Sequence, residues 1–218
     1  LRKFAFTMIE LVFVIVIIGI MSAMIIPRLD RDNRFEAATQ VLNHIKYTQH
    51  LALTEDMFQD GNPDTGPGTG WFKSRWEIQF YTCGGYAIHS DRGQNGGNAA
   101  SLDAALDPQT GKRLWIGAGV GANCTAPVAG DFEKMDLSEH YDLVNFTLTP
   151  SCRGAVATTG QISFDSLGRP YGANIIDGVI KQDCNITLSF NTGANEVVSI
   201  HAETGYACIL NTAGTNCL

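Results

Sequence analysis

The sequence predicts an α+β fold: a long N-terminal helix, apolar in one half and amphipathic in the other, packed on a C-terminal antiparallel β-sheet with disulfides. Three observations lead there. Leu11 to Ile26 is a run of sixteen residues without a charge. After Pro27, apolar residues recur at steps of three and four, as on one face of a helix. From about residue 75 on, short apolar stretches separated by Gly and Asn clusters read as strands. Helix first and strands afterwards is the α+β order.

The apolar run alone spans about 24 Å as a helix, short of the ~30 Å hydrocarbon core of a bilayer. Extended back to Phe4 it has 23 residues and is long enough, but Glu10 then lies inside it. Arg2 and Lys3 precede the run, as in a secretory signal peptide, yet Ser22-Ala23 makes a poor cleavage site. An unpaired carboxylate near the edge of a membrane helix costs about 2–3 kcal/mol. No basic residue lies one turn beyond Glu10, where Phe13 and Val14 stand. Either Glu10 reaches the headgroups or its partner comes from elsewhere.

The next segment is amphipathic. Ala38, Val41, Leu42, Ile45, Thr48, Gln49 and Ala52 share a face, and the helix runs to about Glu55. Pro27 leaves two readings, one bent rod or two helices. Residues 59–70, QDGNPDTGPGTG, form a turn-rich loop. The predicted strands are Arg75–Thr82, Tyr86–His89, Leu114–Ile116, Leu143–Leu148, Gln161–Asp165, Cys184–Asn191 and Glu196–His201. ITLSF-NTGAN-EVVSI reads as a hairpin.

Composition narrows the function. The chain has 218 residues, 44% hydrophobic and 17% charged, and a net charge of −7. A collagen, a long coiled coil, a disordered chain and a mainly electrostatic nucleic-acid binder are excluded. The six cysteines, Cys83, Cys124, Cys152, Cys184, Cys208 and Cys217, are even in number and scattered, with no C-x-x-C. That pattern favours disulfides in an oxidising compartment over a zinc site. Fifteen pairings exist for six cysteines; neighbours in sequence are the expected pairs, Cys208–Cys217 foremost.

The string Ala5-Phe6-Thr7-Met8-Ile9-Glu10-Leu11, followed by an apolar helix with Gly19 and Pro27, resembles the type IV prepilin signature. The resemblance implies a short basic leader cut between Ala5 and Phe6 by a membrane prepilin peptidase, and N-methylation of Phe6. It implies that Glu10 pairs with the α-amine of a neighbouring subunit in a filament. Pairing two buried ions offsets much of their desolvation cost. Gly19 and Pro27, which weaken or kink a helix, would let it melt locally on packing. Ala5 departs from the usual Gly before the cut. Arg28, Arg31 and Arg34 follow the apolar run, so the positive-inside rule does not orient it; the family's orientation puts the N-terminus in the cytoplasm and the bulk outside.

The C-terminal part is similar to H-type minor pseudopilins and FimT-like minor pilins. Ile162, Phe164, Gly168, Arg169, Ile186, Leu188, Val198, Ile200 and Gly205 carry that second resemblance, with the helix QVLNHIKYTQHLALTED. The implied organisation is a leader (1–5), a transmembrane and filament-core helix (6–27), an amphipathic helix (28–58) and a globular β-rich domain (59–218). The implied partners are other pilin or pseudopilin subunits, the prepilin peptidase, an inner-membrane assembly platform and membrane lipid. The implied location is the bacterial inner membrane, with the C-terminal domain in the periplasm, and then a pilus or pseudopilus filament.

No catalytic constellation is visible. His44, His50, His89, His140 and His201 make no H-E-x-x-H, no G-x-S-x-G occurs, and Gly111-Lys112 lacks the rest of a P-loop. Asp91-x-Gly93-x-Asn95 fails as an EF-hand, having Leu102 at its last ligand position. An irregular calcium site at Asp60, Asp64 or Asp91 is a lesser alternative, and no cofactor or metal is expected. DNA is a lesser alternative partner, through Arg92, Lys112, Arg113, Arg153 and Arg169. The expected function is a structural filament subunit, either a minor pilin or a pseudopilin. The alternatives are a tip subunit that binds DNA or a surface and, last, an anchored periplasmic enzyme.

Overall fold

The computed structural model describes residues 7–55, 74–90, 103–118, 124–125, 129–152, 160–172, 178–211 and 214–218, with the side chains of 23–32, 117–118 and 124–125 set aside. Helix α1 spans Met8–Thr54. Among the described residues ten strands follow: β1 (Trp76–Phe80), β2 (Tyr86–Ser90), β3 (Gly117–Ala118), β4 (Cys124–Thr125), β5 (Leu143–Leu148), β6 (Gly160–Phe164), β7 (Pro170–Tyr171), β8 (Cys184–Phe190), β9 (Glu196–Ile200) and β10 (Ala207–Ile209). A one-turn 3-10 segment (Glu133–Met135) and the short helix α2 (Leu137–Tyr141) precede β5.

The expected architecture, a half-transmembrane helix on a single antiparallel sheet, is corrected on two counts. First, the described strands form two four-stranded antiparallel sheets, ordered β2-β1-β6-β7 and β10-β9-β8-β5, and a β3-β4 ribbon. Strand order along the chain does not say which strands pair. β6 skips β5 to pair with β1, Trp76 opposite Phe164, while β5 pairs with β8. Second, among the described residues no helix is long and apolar enough to cross a membrane. The uncharged run Leu11 to Ile26 lies within α1 and reaches only about 24 Å as a helix, short of the ~30 Å hydrocarbon core.

The core is built from α1 and both sheets. Ala37, Ala38, Val41, Ile45 and Ala52 of α1 are buried against it. The helix contacts β1 and β6 of one sheet and β9 and β10 of the other. In β8, residues alternate between buried and half-buried, with Cys184, Ile186, Leu188 and Phe190 inward. The β8–β9 hairpin pairs Cys184 with Ile200 and Leu188 with Glu196. Leu114–Ile116 is buried but is not a strand: Leu114 O accepts from Ile88 N (2.9 Å), and Leu114 N donates to Ala105 O (2.7 Å).

Gly205 and Gly168 have positive φ and let two turns approach α1 closely. A Cβ on Gly205 would collide with Gly168 O, and Gln49 Nε2 donates to that same oxygen at 2.8 Å. Gly168-Arg169 thus belongs to a turn around Asp165. This carboxylate accepts from Leu167 N (3.0 Å), Arg169 N (2.9 Å) and Arg169 Nε (2.8 Å). Burial opposes its ionisation, and the Arg169 and Leu167 donors outweigh burial, holding Asp165 below its usual range.

Candidate functional site

α1 has two unlike halves. Its C-terminal half is built into the domain. Its described N-terminal part, Met8 to Ser22, is exposed throughout. Met8 is 90% exposed, Phe13 67% and Ile15 60%, whereas Val41 and Ile45 are 0% exposed. Single exposed apolar residues are ordinary, but a contiguous apolar surface of this extent marks an interaction site. It can bury apolar area against lipid or other helices; it offers no chemistry.

Thr7 caps α1, its side chain accepting from Glu10 N at 3.4 Å. The Thr7 hydroxyl also lies 3.5 Å from Glu10 Oε2. Thr-x-x-Glu is the spacing of a capping box, and a carboxylate in the first turn suits the helix dipole. Glu10 therefore has a local role before any neighbour is considered. Thr7 is the residue that sequence reading missed here, although Thr followed by Glu three positions on was there to be read. Gly19 lies within α1 with nothing near its Cα face. Pro27 lies in the helical run, its side chain not described. Ala5 and Phe6 lie outside the described residues.

A polar network holds the C-terminal half of α1 to the domain beside a cavity of about 390 Å³. His44 Nδ1 is 2.7 Å from Tyr86 Oη, and Gln40 Nε2 donates to Tyr86 Oη (2.9 Å) and Lys134 O (2.7 Å). Tyr141 Oη donates to Glu36 Oε1 at 3.0 Å. Burial pushes the His44 pKa down to about 4, against a smaller opposing pull from Asp107. Burial pushes the Tyr86 hydroxyl upward. His44 is therefore neutral at pH 7 and serves as a fixed hydrogen-bond group.

A second polar cluster lies inside the β1–β2 pair. Glu77 and His89 are register partners, with His89 Nδ1 3.1 Å from Glu77 Oε1. His89 Nε2 lies 3.2 Å from Gln79 Oε1, and Gln161 Nε2 donates to Glu77 Oε2. Glu77 is 5% exposed and His89 2%. The acid and base are sealed from solvent and ligand.

Cys152 is bonded to Cys184 and Cys208 to Cys217, each to its neighbour in sequence. Cys83 is also disulfide-bonded; the side chain of Cys124 is not described. Asp60, Asp64, Asp91, Arg92 and Arg153 lie outside the described residues. The other cations weighed for DNA have carboxylate partners: Arg113 with Asp131 (2.8 Å), Lys112 with Glu133 (3.4 Å) and Arg169 with Asp165 (2.8 Å). No family model, curated protein or solved structure matches this chain.

Proposed function

We propose that this protein is a pilin-like structural subunit, a minor pilin or pseudopilin, of a type IV pilus or a type II secretion pseudopilus. The observation that carries the reading is the split of α1 into a buried half and an exposed apolar half. A helix apolar around its whole circumference needs a cover, and none lies within the described chain. Copies of such a helix, stacked in a filament, would cover one another. The prepilin-like string at Ala5 to Leu11 supports the same reading. So do the disulfides, which suit an oxidising compartment. On this reading the precursor is held at the inner membrane by its N-terminal segment, with the globular part outside. Prepilin peptidase and an assembly platform act on it there, and Glu10 sets its register against a neighbour. DNA binding gains no support from cations already paired with carboxylates.

Sheared-filament pelleting of cells carrying wild-type or Glu10→Ala chain tests the proposal. Wild type should appear in the filament fraction, and Glu10→Ala should accumulate in cells but vanish from that fraction. Equal recovery of both would remove the assembly role of Glu10. Absence of the wild type from filaments would remove the proposal itself.

A further inference from the structure

Three metal-binding side chains converge at the C-terminal end of the second sheet. Cys208 is the central residue of β10, opposite Ser199 of β9. His201 directly follows β9. The tail folds back through a bridge between Leu210 and Cys217, and Leu218 N donates to Ile209 O at 2.9 Å. A ring nitrogen of His201 and the two sulfurs lie within 4.8 Å of one another. Among the described residues it is the only cluster of this kind.

The imidazole is held in one orientation. Its Nδ1 lies 3.1 Å from Asp183 Oδ2, and its Nε2 lies 3.6 Å from Cys217 Sγ. Asp183 is itself fixed, its Oδ1 accepting from Ala202 N at 2.8 Å. Tyr206 stacks on the ring, with centroids 5.6 Å apart. When Nδ1–H is donated to the carboxylate, the lone pair of Nε2 points at the sulfur. Metal-ligating histidines almost always show this arrangement, the second ring N–H donated to a carboxylate, a backbone carbonyl or water. In the oxidised chain the two sulfurs are bonded to each other and offer no thiolate. The other described disulfide differs: Cys152 and Cys184 are both fully buried. The His201 side chain is 40% exposed, and residues 214–218 are all exposed. A reductant can therefore reach the bond at Cys217 and an ion the imidazole, while Cys208 stays buried at 3% exposed and Cys217 is held by the bridge to Leu210 in an exposed tail.

We propose that reduction of Cys208–Cys217 opens a zinc-class metal site formed by His201 Nε2, Cys208 Sγ and Cys217 Sγ, with Asp183 as the positioning residue. The reductant is a dithiol. Its two sulfurs join, the Cys208–Cys217 bond breaks, and two electrons and two protons pass to the cysteines. The cation then displaces those two protons and binds two thiolates and one neutral imidazole. Two sulfurs and a nitrogen suit zinc at about 2.3 Å and about 2.0–2.1 Å, with a fourth position open to water. Bonded sulfurs lie closer together than two ligands of one ion, so the exposed tail must shift outward by an ångström or two. The site is independent of the filament reading and does not need it.

The test uses the full chain, reduced anaerobically with a dithiol, freed of reductant, and mapped by alkylation so that Cys208 and Cys217 are known to be thiols. Cobalt(II) serves as the probe. The proposal predicts one equivalent bound with thiolate-to-cobalt charge-transfer absorption, zinc displacing it, and no absorption in the oxidised chain. His201→Ala should weaken binding at least tenfold. Asp183→Asn, which keeps all three ligands, should weaken it about 10–100-fold. Circular dichroism of each variant establishes that the fold is kept. Absence of absorption in the reduced chain overturns the proposal. So does absorption that survives in a Cys208→Ser/Cys217→Ser chain, or affinity unchanged by His201→Ala.

Discussion

The two halves of α1 obey opposite rules. From Ala37 to Ala52 the helix is amphipathic, and its apolar face is covered by two sheets. From Leu11 to Met21 it is apolar all round and exposed. One half is stabilised by what it touches within the chain. The other half is a hydrophobic surface that nothing among the described residues covers. The contrast teaches that a helix's pattern reports the kind of cover it needs: one apolar face packs on its own domain, and an apolar circumference needs burial on every side, in a large core or a membrane.

The sharpest way to break the comparison is a pair of truncations. Ile45→Ala should destabilise the folded domain by about 2–5 kcal/mol, through lost burial and a residual cavity. Ile15→Ala should change domain stability by less than about 0.5 kcal/mol. Denaturant unfolding of both variants checks this, and equal effects would mean that the halves do not differ as described.

The disulfides sharpen it at the other end of the chain. Replacing Cys152 and Cys184 together by Ala removes a link across 32 residues, and replacing Cys208 and Cys217 one across 9. Loop-closure entropy puts the losses at about 3.7 and about 2.6 kcal/mol. Thermal unfolding should rank the two variants in that order.

His44 gives the buried half of α1 a pH signature. Its pKa is about 4 in the folded chain and near 6.5 when unfolded. The unfolded state therefore binds the proton more tightly, and stability rises with pH in that window. The contribution is complete above about pH 6.5 and lost progressively down to about pH 4, on the order of 3 kcal/mol. His44→Gln should flatten the stability profile between those limits.

The smallest effect falls on the free end. Thr7→Val removes the cap of α1 and should cost about 1 kcal/mol of local helix stability. Amide exchange should quicken in the first turn and leave the globular part unchanged.

Individual elements were legible in the sequence, but their assembly was not. The β8–β9 hairpin lies where ITLSF-NTGAN-EVVSI places it, because alternation and a Gly-containing turn are local signals. Cys208–Cys217 followed from proximity in sequence. The division into two sheets did not follow. It rests on pairing Trp76 with Phe164, a contact between distant residues that no local pattern encodes. β7 and β10 are three residues or fewer, too short to show alternation. The Asp183–His201–Cys217 alignment was out of reach for the same reason, since two strand ends and the returning tail bring it together. At Glu10 the local signal was present, Thr7 followed by Glu three positions on, and it forms the cap of α1.

The proposed assembly role of the exposed half of α1 requires processing at Phe6. The measurement that tests this most directly is the mass of the N-terminal peptide of the chain recovered from native membranes. The expected peptide begins at Phe6 and carries one added methyl group. A peptide that begins upstream of Phe6, without the methyl group, would contradict it.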